Sequence, residues 1–429
     1  MLKYIWQVSQ DLFLTVTFVT LIYVMALRIA GKKALRIQWT GIVLGITASV
    51  IFAYVKNTTN KIITSHWNHY LYLIIIGFTL LYLALSIFCR NKKTEGLNTL
   101  TIVFCTTGAC LSALWIFFRL PAVLFYPFNF NTMGNGILSW YYLQRLLGWA
   151  ISLIVLSIYA QLLRECAFQI KKQTIPLAVL NAGTVVNAVY CFGYFFVPWV
   201  NRAKWLHSTF PYSAEKYPWA RSLVMITSTK AIMFIWIVAA LAALLVFLFF
   251  LENTKITEPY DNPAQKRKIR AGHRRHRRQS VATLLFLAVI IVDLSIVKAY
   301  DTRVVELSAP ETYTVSDNAI LIPVDLVSDG HLHRFEYQTE KGINVRWIVV
   351  KKPGSASFGV GLDACEVCGN AGYFERNGQV ICKRCDVVMN INTIGFKGGC
   401  NPIPLSYEVK DGNMVFTLAD LAAGEKEFR

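Results

Sequence analysis

Eight long apolar stretches fill most of the chain before residue 300, and they constrain its fold more than any other feature. A helix needs about 20 residues to cross a hydrocarbon core about 30 Å thick, and in lipid all backbone hydrogen bonds of a single segment are satisfied only in a helix. The stretches run approximately over 11–30, 38–56, 70–89, 98–118, 137–163, 175–199, 229–251 and 281–299. They predict an α-helical polytopic membrane protein with about eight transmembrane helices.

The charges of the chain support this class. Only 16% of the 429 residues are charged, whereas an ordinary soluble domain has nearer a quarter. The formal net charge of +18 is compatible with nucleic-acid binding, but the basic residues lie mainly in short loops between apolar stretches. That distribution is the topology signal of a membrane protein, so we expect no nucleic-acid partner.

Lys and Arg residues concentrate in the loops that follow the odd-numbered stretches, at 28–36, 90–93, 164–172 and 255–278. Cytoplasmic loops of membrane proteins carry this excess of positive charge. The bias predicts a multi-pass protein of the cytoplasmic (inner) membrane with its N- and C-termini outside the cytoplasm. The densest segment, 266–278, is expected to anchor the chain at the cytoplasmic surface, where it meets membrane lipid headgroups.

Two ionisable residues stand out within the apolar stretches, Arg145 in the fifth and Asp293 in the eighth. A charge at membrane depth normally faces the protein interior or a wet cavity. An ion pair between the two or a shifted helix boundary is the favoured interpretation, and an ion path is the less favoured one.

After residue 300 the composition changes to short β-rich runs, at 311–315, 319–325, 331–338 and 343–351. A turn at 410–413 predicts a hairpin that joins 405–410 to 413–416, and a short helix is expected after Thr417, with Asp420 in a capping pattern. We therefore divide the chain into a membrane domain, 1–300, and a small β-rich, extracytoplasmic, metal-binding domain, 301–429.

The C-terminal domain contains two C-x-x-C pairs, Cys365 with Cys368 and Cys382 with Cys385, and a fifth cysteine at Cys400. Thirteen residues separate the pairs, and 373–381 reads as a hairpin with an Asn-Gly turn that sets them face to face. The pattern predicts a tetrahedral four-sulfur site for zinc, for a single iron or for an Fe–S cluster.

The spacing of these cysteines is compatible with three kinds of site. A structural zinc ribbon is the commonest use of such spacing, and a redox iron or Fe–S centre is the second. Disulfides are the third, because an oxidising space outside the cytoplasm favours them, although five cysteines leave one thiol over. Cys400 is either a further ligand or a reactive thiol.

The segments LDACEVCGNAGY, VICKRC, NINTIGFKGGCNPIPL and DGHLHRFEY are similar to those of the FtrD-like membrane iron–sulfur protein family. These are bacterial multi-pass membrane proteins with a C-terminal cysteine domain, found with ferrous-iron uptake systems. The resemblance implies an iron or Fe–S cofactor and implies an iron permease and a periplasmic iron-binding protein as partners. It also implies a ligand set, which comprises Cys365, Cys368, Cys382, Cys385 and Cys400.

These observations lead to two hypotheses for function. The first is an accessory membrane component of a bacterial iron-uptake system, whose cysteine-ligated iron or Fe–S centre acts in electron transfer or metal handling. The alternative is a non-redox metal-binding or docking module with zinc, or a metal relay to a permease. The chain lacks the R-E-x-x-E helix motif of the iron permease, and no hydrolytic or transferase motif occurs, so its catalytic residues, if any, are unknown.

Overall fold

The computed structural model of the chain describes residues 1–59, 64–90, 98–128, 140–206, 231–255, 258–303, 305–316, 318–376, 378–384, 387–398 and 400–428. These residues form two compact units. The first covers 1–128 and 143–301, and the second covers the residues from 302 onward together with 140–142. The first unit is helical, and the second is built mainly from short strands.

Long helices make up the first unit. They are α1 (Leu2–Ala30), α2 (Lys33–Thr58), α3 (Thr64–Cys89), α4 (Thr99–Phe125), α5 (Trp140–Gln169), α6 (Thr174–Leu206), α7 (Ala231–Glu252) and α8 (Pro263–Val292). Within the described ranges, eight helices contain a segment that is long and apolar enough to cross a membrane. The predicted membrane fold is confirmed.

Helix α8 extends well beyond its apolar stretch at the N-terminal end. Asn262 caps it by accepting a hydrogen bond from the Gln265 amide at 2.7 Å, and Pro263 occupies the first turn. The basic segment 266–278 is therefore helical rather than a loop, because Lys and Arg are good helix formers and the cap fixes the start of the helix upstream of them.

Helix α1 lies at the centre of the packing. In its most apolar window 72% of the residues are buried, the largest share among the eight candidate spans. Phe13 stacks on Tyr159 with ring centroids 5.6 Å apart, and Phe18 packs against Trp115 at 5.8 Å. The N-terminal helix thus contributes core side chains rather than only a membrane anchor.

Helices α2 and α4 approach closely through small residues. A Cβ atom on Gly41 would lie 2.4 Å from the Ala109 carbonyl oxygen, and one on Gly45 would lie 2.9 Å from Ala113. Small residues at a membrane helix interface allow the backbones to approach and gain van der Waals contact.

The second unit contains nine described strands, which pair antiparallel throughout. They are β1 (Thr314–Ser316), β2 (Ala319–Pro323), β3 (His333–Gln338), β4 (Asn344–Lys351), β5 (Phe358–Leu362), β6 (Tyr373–Arg376), β7 (Gln379–Cys382), β8 (Glu408–Lys410) and β9 (Asn413–Thr417). They form a four-stranded sheet in the order β1-β2-β9-β8, a three-stranded sheet β3-β4-β5 and the hairpin β6-β7. Trp347 fills the core between Phe335 and Phe416.

The structure agrees with most of the predicted elements of this region. Strands β2, β3 and β4 lie within the expected runs, and the short helix α9 (Leu418–Ala423) follows Thr417, whose hydroxyl accepts from the Asp420 amide at 3.2 Å. Strand β5 was not expected, because glycines normally weaken a strand. Here Gly359 and Gly361 let Ile394 and Pro402 approach to distances that a Cβ atom would not allow.

The close contact of α2 with α4 gives a prediction for Gly41. We expect Gly41→Leu to lower the thermal unfolding midpoint of the detergent-solubilised protein, since overpacking costs about 1–3 kcal/mol. Gly77→Leu on α3 is the control, because a Cβ atom at Gly77 meets nothing within 4 Å. Equal midpoints for the two variants would contradict the proposed packing.

Candidate metal centre

Three cysteines of the second unit converge on one point. Cys365 and Cys368 follow strand β5, and Cys382 is the last residue of strand β7. Their Sγ atoms lie within 4.8 Å of one another, and all three side chains are buried. We call these residues the cysteine triad.

The first C-x-x-C pair forms a tight turn around its own sulfur. The Cys368 amide donates a hydrogen bond to Cys365 Sγ at 3.1 Å, and Cys365 and Gly369 exchange two backbone hydrogen bonds of 3.1 and 2.9 Å. Gly369 has φ +66°, a left-handed conformation that glycine adopts without a Cβ penalty. The turn therefore needs Gly369 to close.

The hairpin β6-β7 delivers the third sulfur. Tyr373 pairs with Cys382 and Arg376 pairs with Gln379, so the hairpin returns the chain to the first pair. Gly378 has φ +70° in the turn, whereas Asn377 lies outside the described residues. The hairpin predicted over 373–381 is confirmed.

The structure places the other two predicted ligands differently. Cys385 lies outside the described residues. Cys400 is partly exposed and packs against the apolar cluster that contains the triad, but it is not one of the three residues that share the 4.8 Å spacing. The Tyr373 hydroxyl donates to the Cys400 carbonyl at 2.6 Å and ties this turn to the hairpin.

A buried carboxylate lies next to the triad in the sequence and holds together the strands that carry it. Asp363 is fully buried two residues before Cys365, and its Oδ2 accepts from Arg334 Nε at 3.0 Å and from Arg346 Nε at 3.2 Å. Its Oδ1 accepts from the Tyr373 amide at 2.7 Å. One side chain thus joins β3, β4 and the start of β6.

Arg334 extends this network, and sequence reasoning missed it. Its guanidinium also donates to the Tyr373 carbonyl and to the Ser308 carbonyl at 2.9 Å, and the side chain is 1% exposed. Alternation along 331–337 predicts that Arg334 lies on the exposed face of the strand, opposite the buried face that carries Phe335. The available signal was an aspartate directly before an A-C-x-x-C turn, since a buried carboxylate needs a basic partner.

Tyr373 lies against the triad as a neutral donor. Burial raises the pKa of its phenol well above the usual value, and the neighbouring Cys365 and Cys382 raise it further. Arg384 donates to the Cys368 carbonyl at 3.1 Å, which places a positive charge beside the first turn. A cation near a cysteine favours the thiolate, which is the form that binds metal.

The triad has the donors and the spacing for a metal ion. Thiolate–metal bonds of about 2.3 Å in a tetrahedral arrangement place the sulfurs about 3.8 Å apart. The observed spacing is compatible with that distance, and the three buried cysteines lie within an apolar cluster. The chemistry it supports is soft-metal ligation, with zinc or iron as the natural occupants.

A separate set of ion pairs fixes the start of strand β3. His333 bonds Asp329 through Nε2 at 2.8 Å and Glu311 through Nδ1 at 3.0 Å, while His331 Nδ1 bonds Glu375 on β6 at 2.8 Å. With a carboxylate at each ring nitrogen, His333 is a donor at both only as imidazolium. These histidines of the D-G-H-L-H motif therefore act as structural ion-pair partners.

The comparisons with known proteins concern this same part of the chain. Residues 327–428 match the family described as membrane iron-sulfur containing protein FtrD-like, which confirms the resemblance for the C-terminal region. No curated protein and no solved structure matches the chain. The matched region includes the triad and the four residues Arg334, Arg346, Asp363 and Tyr373 that support it.

The Asp363 network yields a stability prediction. We expect Asp363→Asn to destabilise the C-terminal unit by about 3–5 kcal/mol, because it leaves buried guanidinium charge without its counter-ion. Proteolysis of the full-length protein during heating measures the change. Glu408→Gln, which removes an exposed ion pair with Lys410, is the control and should leave the protease resistance almost unchanged, because solvent screens such a pair. A tolerant Asp363→Asn would contradict the supporting role.

His333 makes the stability of the same unit depend on pH. Burial lowers its pKa, but the hydrogen bonds that His333 donates to Asp329 and Glu311 outweigh burial, so its net pKa is raised. The hydrogen bond that Asp329 accepts from His333 lowers the pKa of Asp329. The His333 contribution is complete below about pH 6.5 and is lost as pH rises through its raised pKa. The Asp329 contribution is complete above about pH 4 and is lost as pH falls.

Stability from this pair should therefore be greatest between about pH 4 and about pH 6.5. Resistance to proteolysis of the wild-type unit should fall as pH rises from about 6 to about 9, and His333→Gln should flatten that dependence. An unchanged pH profile in His333→Gln would show that the pair does not contribute.

Proposed function

We propose that this chain is an accessory membrane component of a bacterial iron-uptake system, and that its cysteine triad holds iron for electron transfer or metal handling. The observation that carries the proposal is the triad itself: three buried sulfurs within 4.8 Å of one another, inside the region that matches a membrane iron–sulfur family. The eight apolar helices agree with a multi-pass membrane protein.

The proposed ligands are Cys365, Cys368 and Cys382 from the triad, with Cys385 as the fourth. Cys385 belongs to the same C-x-x-C turn as Cys382, and such a turn brings two thiolates to one ion. Cys400 packs beside the cluster and is the alternative fourth ligand.

The spacing of the triad favours a single iron over a cluster. All ligands of one ion lie within about 3.8 Å of each other, whereas cysteines that bind different irons of a cluster are held farther apart. A bound iron would supply a one-electron redox couple. The protein supplies the thiolates, the Cys368 amide that hydrogen-bonds Cys365 Sγ, and an apolar shell that excludes water.

A second candidate is a zinc-stabilised docking or relay module. The same spacing suits zinc, and the triad sits within the apolar cluster of a short-stranded region, as a structural zinc does in a ribbon. The two candidates differ in the metal bound rather than in the ligands.

We place the site outside the cytoplasm, with the permease and the periplasmic iron-binding protein of the uptake system as partners. The charge asymmetry of the loops supports the sidedness. Thiols in an oxidising space form disulfides unless a metal protects them, which agrees with a metal in this position. The partners rest on the family resemblance, and the basic half of α8 supplies the contact with lipid headgroups.

Metal content of protein purified without oxygen tests the proposal. We expect about one iron per chain with no acid-labile sulfide, and loss of the metal in Cys365→Ser, Cys368→Ser and Cys382→Ser. Cys110→Ser, in membrane helix α4, is the matched control and should keep its iron. Stoichiometric zinc in a colourless sample would favour the docking module, and sulfide equal to iron would replace the single ion by a cluster.

The sidedness has its own test. A C-terminal fusion to a reporter enzyme that is active only in the periplasm should be active, because the loop charges place the C-terminus outside the cytoplasm. The same fusion after Lys172, in a loop expected to be cytoplasmic, is the control and should be silent. The reverse pattern would overturn the proposed topology.

A further inference from the structure

A buried carboxyl group in the membrane unit has no role in the metal centre. Asp293 lies where helix α8 changes from α-helical to π-helical geometry over Asp293–Val297, before the helix continues to Asp301. Asp293 is only 7% exposed. Neither of its carboxyl oxygens has a hydrogen-bond partner in the described part of the chain. The Arg145–Asp293 pair that the sequence allows is therefore not formed.

A serine of helix α1 lies next to this carboxyl group and belongs to a pair of hydroxyls. Ser9 of helix α1 lies beside the carboxyl, and its Oγ is 2.9 Å from Ser152 Oγ. Ser152 Oγ also lies 3.1 Å from the Ile5 carbonyl, which accepts a hydrogen bond from it. Asp293 and Ser152 thus compete for the single hydroxyl proton of Ser9.

The charged groups around this segment have other partners. Lys298 donates to Gln10 at 2.7 Å, and Asp301 accepts from Trp6 Nε1 at 2.8 Å. Asp11 pairs with Arg119 at 3.5 Å and accepts from Tyr126, while the Arg145 guanidinium lies over the Tyr4 ring at 5.3 Å. No described cation neutralises Asp293.

Asp293 and Asp11 thus lie in different surroundings, the first without a hydrogen-bond partner in the described part of the chain and the second with two. A buried carboxylate without a donor or a counter-ion pays a desolvation penalty of several kcal/mol, so Asp293 is stable in this arrangement as the neutral acid. Asp11, in contrast, has both a guanidinium and a phenol as partners. Single π-turns within α-helices are frequent at functional sites, and this one positions the acid.

We propose that Asp293 is a proton-binding site of the membrane unit, which exchanges its proton with the side of the membrane where α1 begins. A polar route leads that way: Lys298 and Asp301 follow Asp293 on the same helix and bond Gln10 and Trp6 of α1. Asp301 is eight residues and about 12 Å farther along the helix, and it is partly exposed. This role of Asp293 does not depend on whether the cysteines bind iron or zinc.

Labelling with dicyclohexylcarbodiimide tests the proposal, because this apolar reagent modifies protonated carboxyl groups within membranes. In the full-length protein in detergent, mass spectrometry should find the label on Asp293 and not on Asp11, and Asp293→Asn should remove it. The rate should fall at least tenfold between about pH 5 and about pH 9 as the exchangeable proton is lost. Wild-type protein gives these results without dependence on the folding of any variant.

Three outcomes would overturn the assignment. No label on Asp293 would show that the acid is ionised or paired. A rate that does not change with pH would make the proton a permanent structural one. Suppression of labelling by Na⁺ at fixed pH would identify a bound metal cation in place of the proton.

Discussion

The cysteine site depends most on the hydrogen bonds and ion pairs of the Asp363 carboxylate. It binds Arg334 of β3, Arg346 of β4 and the Tyr373 amide of β6, so three strands meet at one buried charge. Cys365 follows two residues later, and Tyr373 pairs with Cys382 across the hairpin. Only one residue separates Asp363 from Cys365, and one strand pair separates Tyr373 from Cys382. The position of the Asp363 carboxylate therefore sets the distance between the Cys365 turn and Cys382. Gly372 contributes by its missing Cβ, which would lie 2.9 Å from the same carboxylate.

Most of the fold was predictable because two physical rules act locally. Lipid forces each membrane segment to satisfy its own backbone hydrogen bonds, so length and apolarity identified the spans. Alternation and turn chemistry identified β3, β4 and the hairpins. Tertiary contacts determine the remainder. Gly359 and Gly361 lie in a strand where Ile394 and Pro402 pack too closely for a Cβ atom, and Arg334 is buried because its guanidinium bonds the Asp363 carboxylate.

The candidate site was predictable to a similar extent. The C-x-x-C spacing identified Cys365, Cys368 and Cys382 as neighbours, since a tight turn and a hairpin are local features. Spacing does not determine where Cys400 lies, because its turn is positioned by the Tyr373 hydroxyl and by packing against the apolar cluster. Spacing also does not distinguish iron from zinc, since both accept the same thiolates.

The two units offer different chemistry, soft-metal ligation at the cysteines and a carboxyl group within the membrane helices. X-ray absorption of the protein purified without oxygen is the most direct test of iron at the cysteines. We predict an iron edge with a shell of sulfur atoms at about 2.3 Å and no iron–iron scattering. A sulfur shell found at the zinc edge instead, or iron surrounded only by oxygen and nitrogen, would contradict an iron held by the cysteine triad.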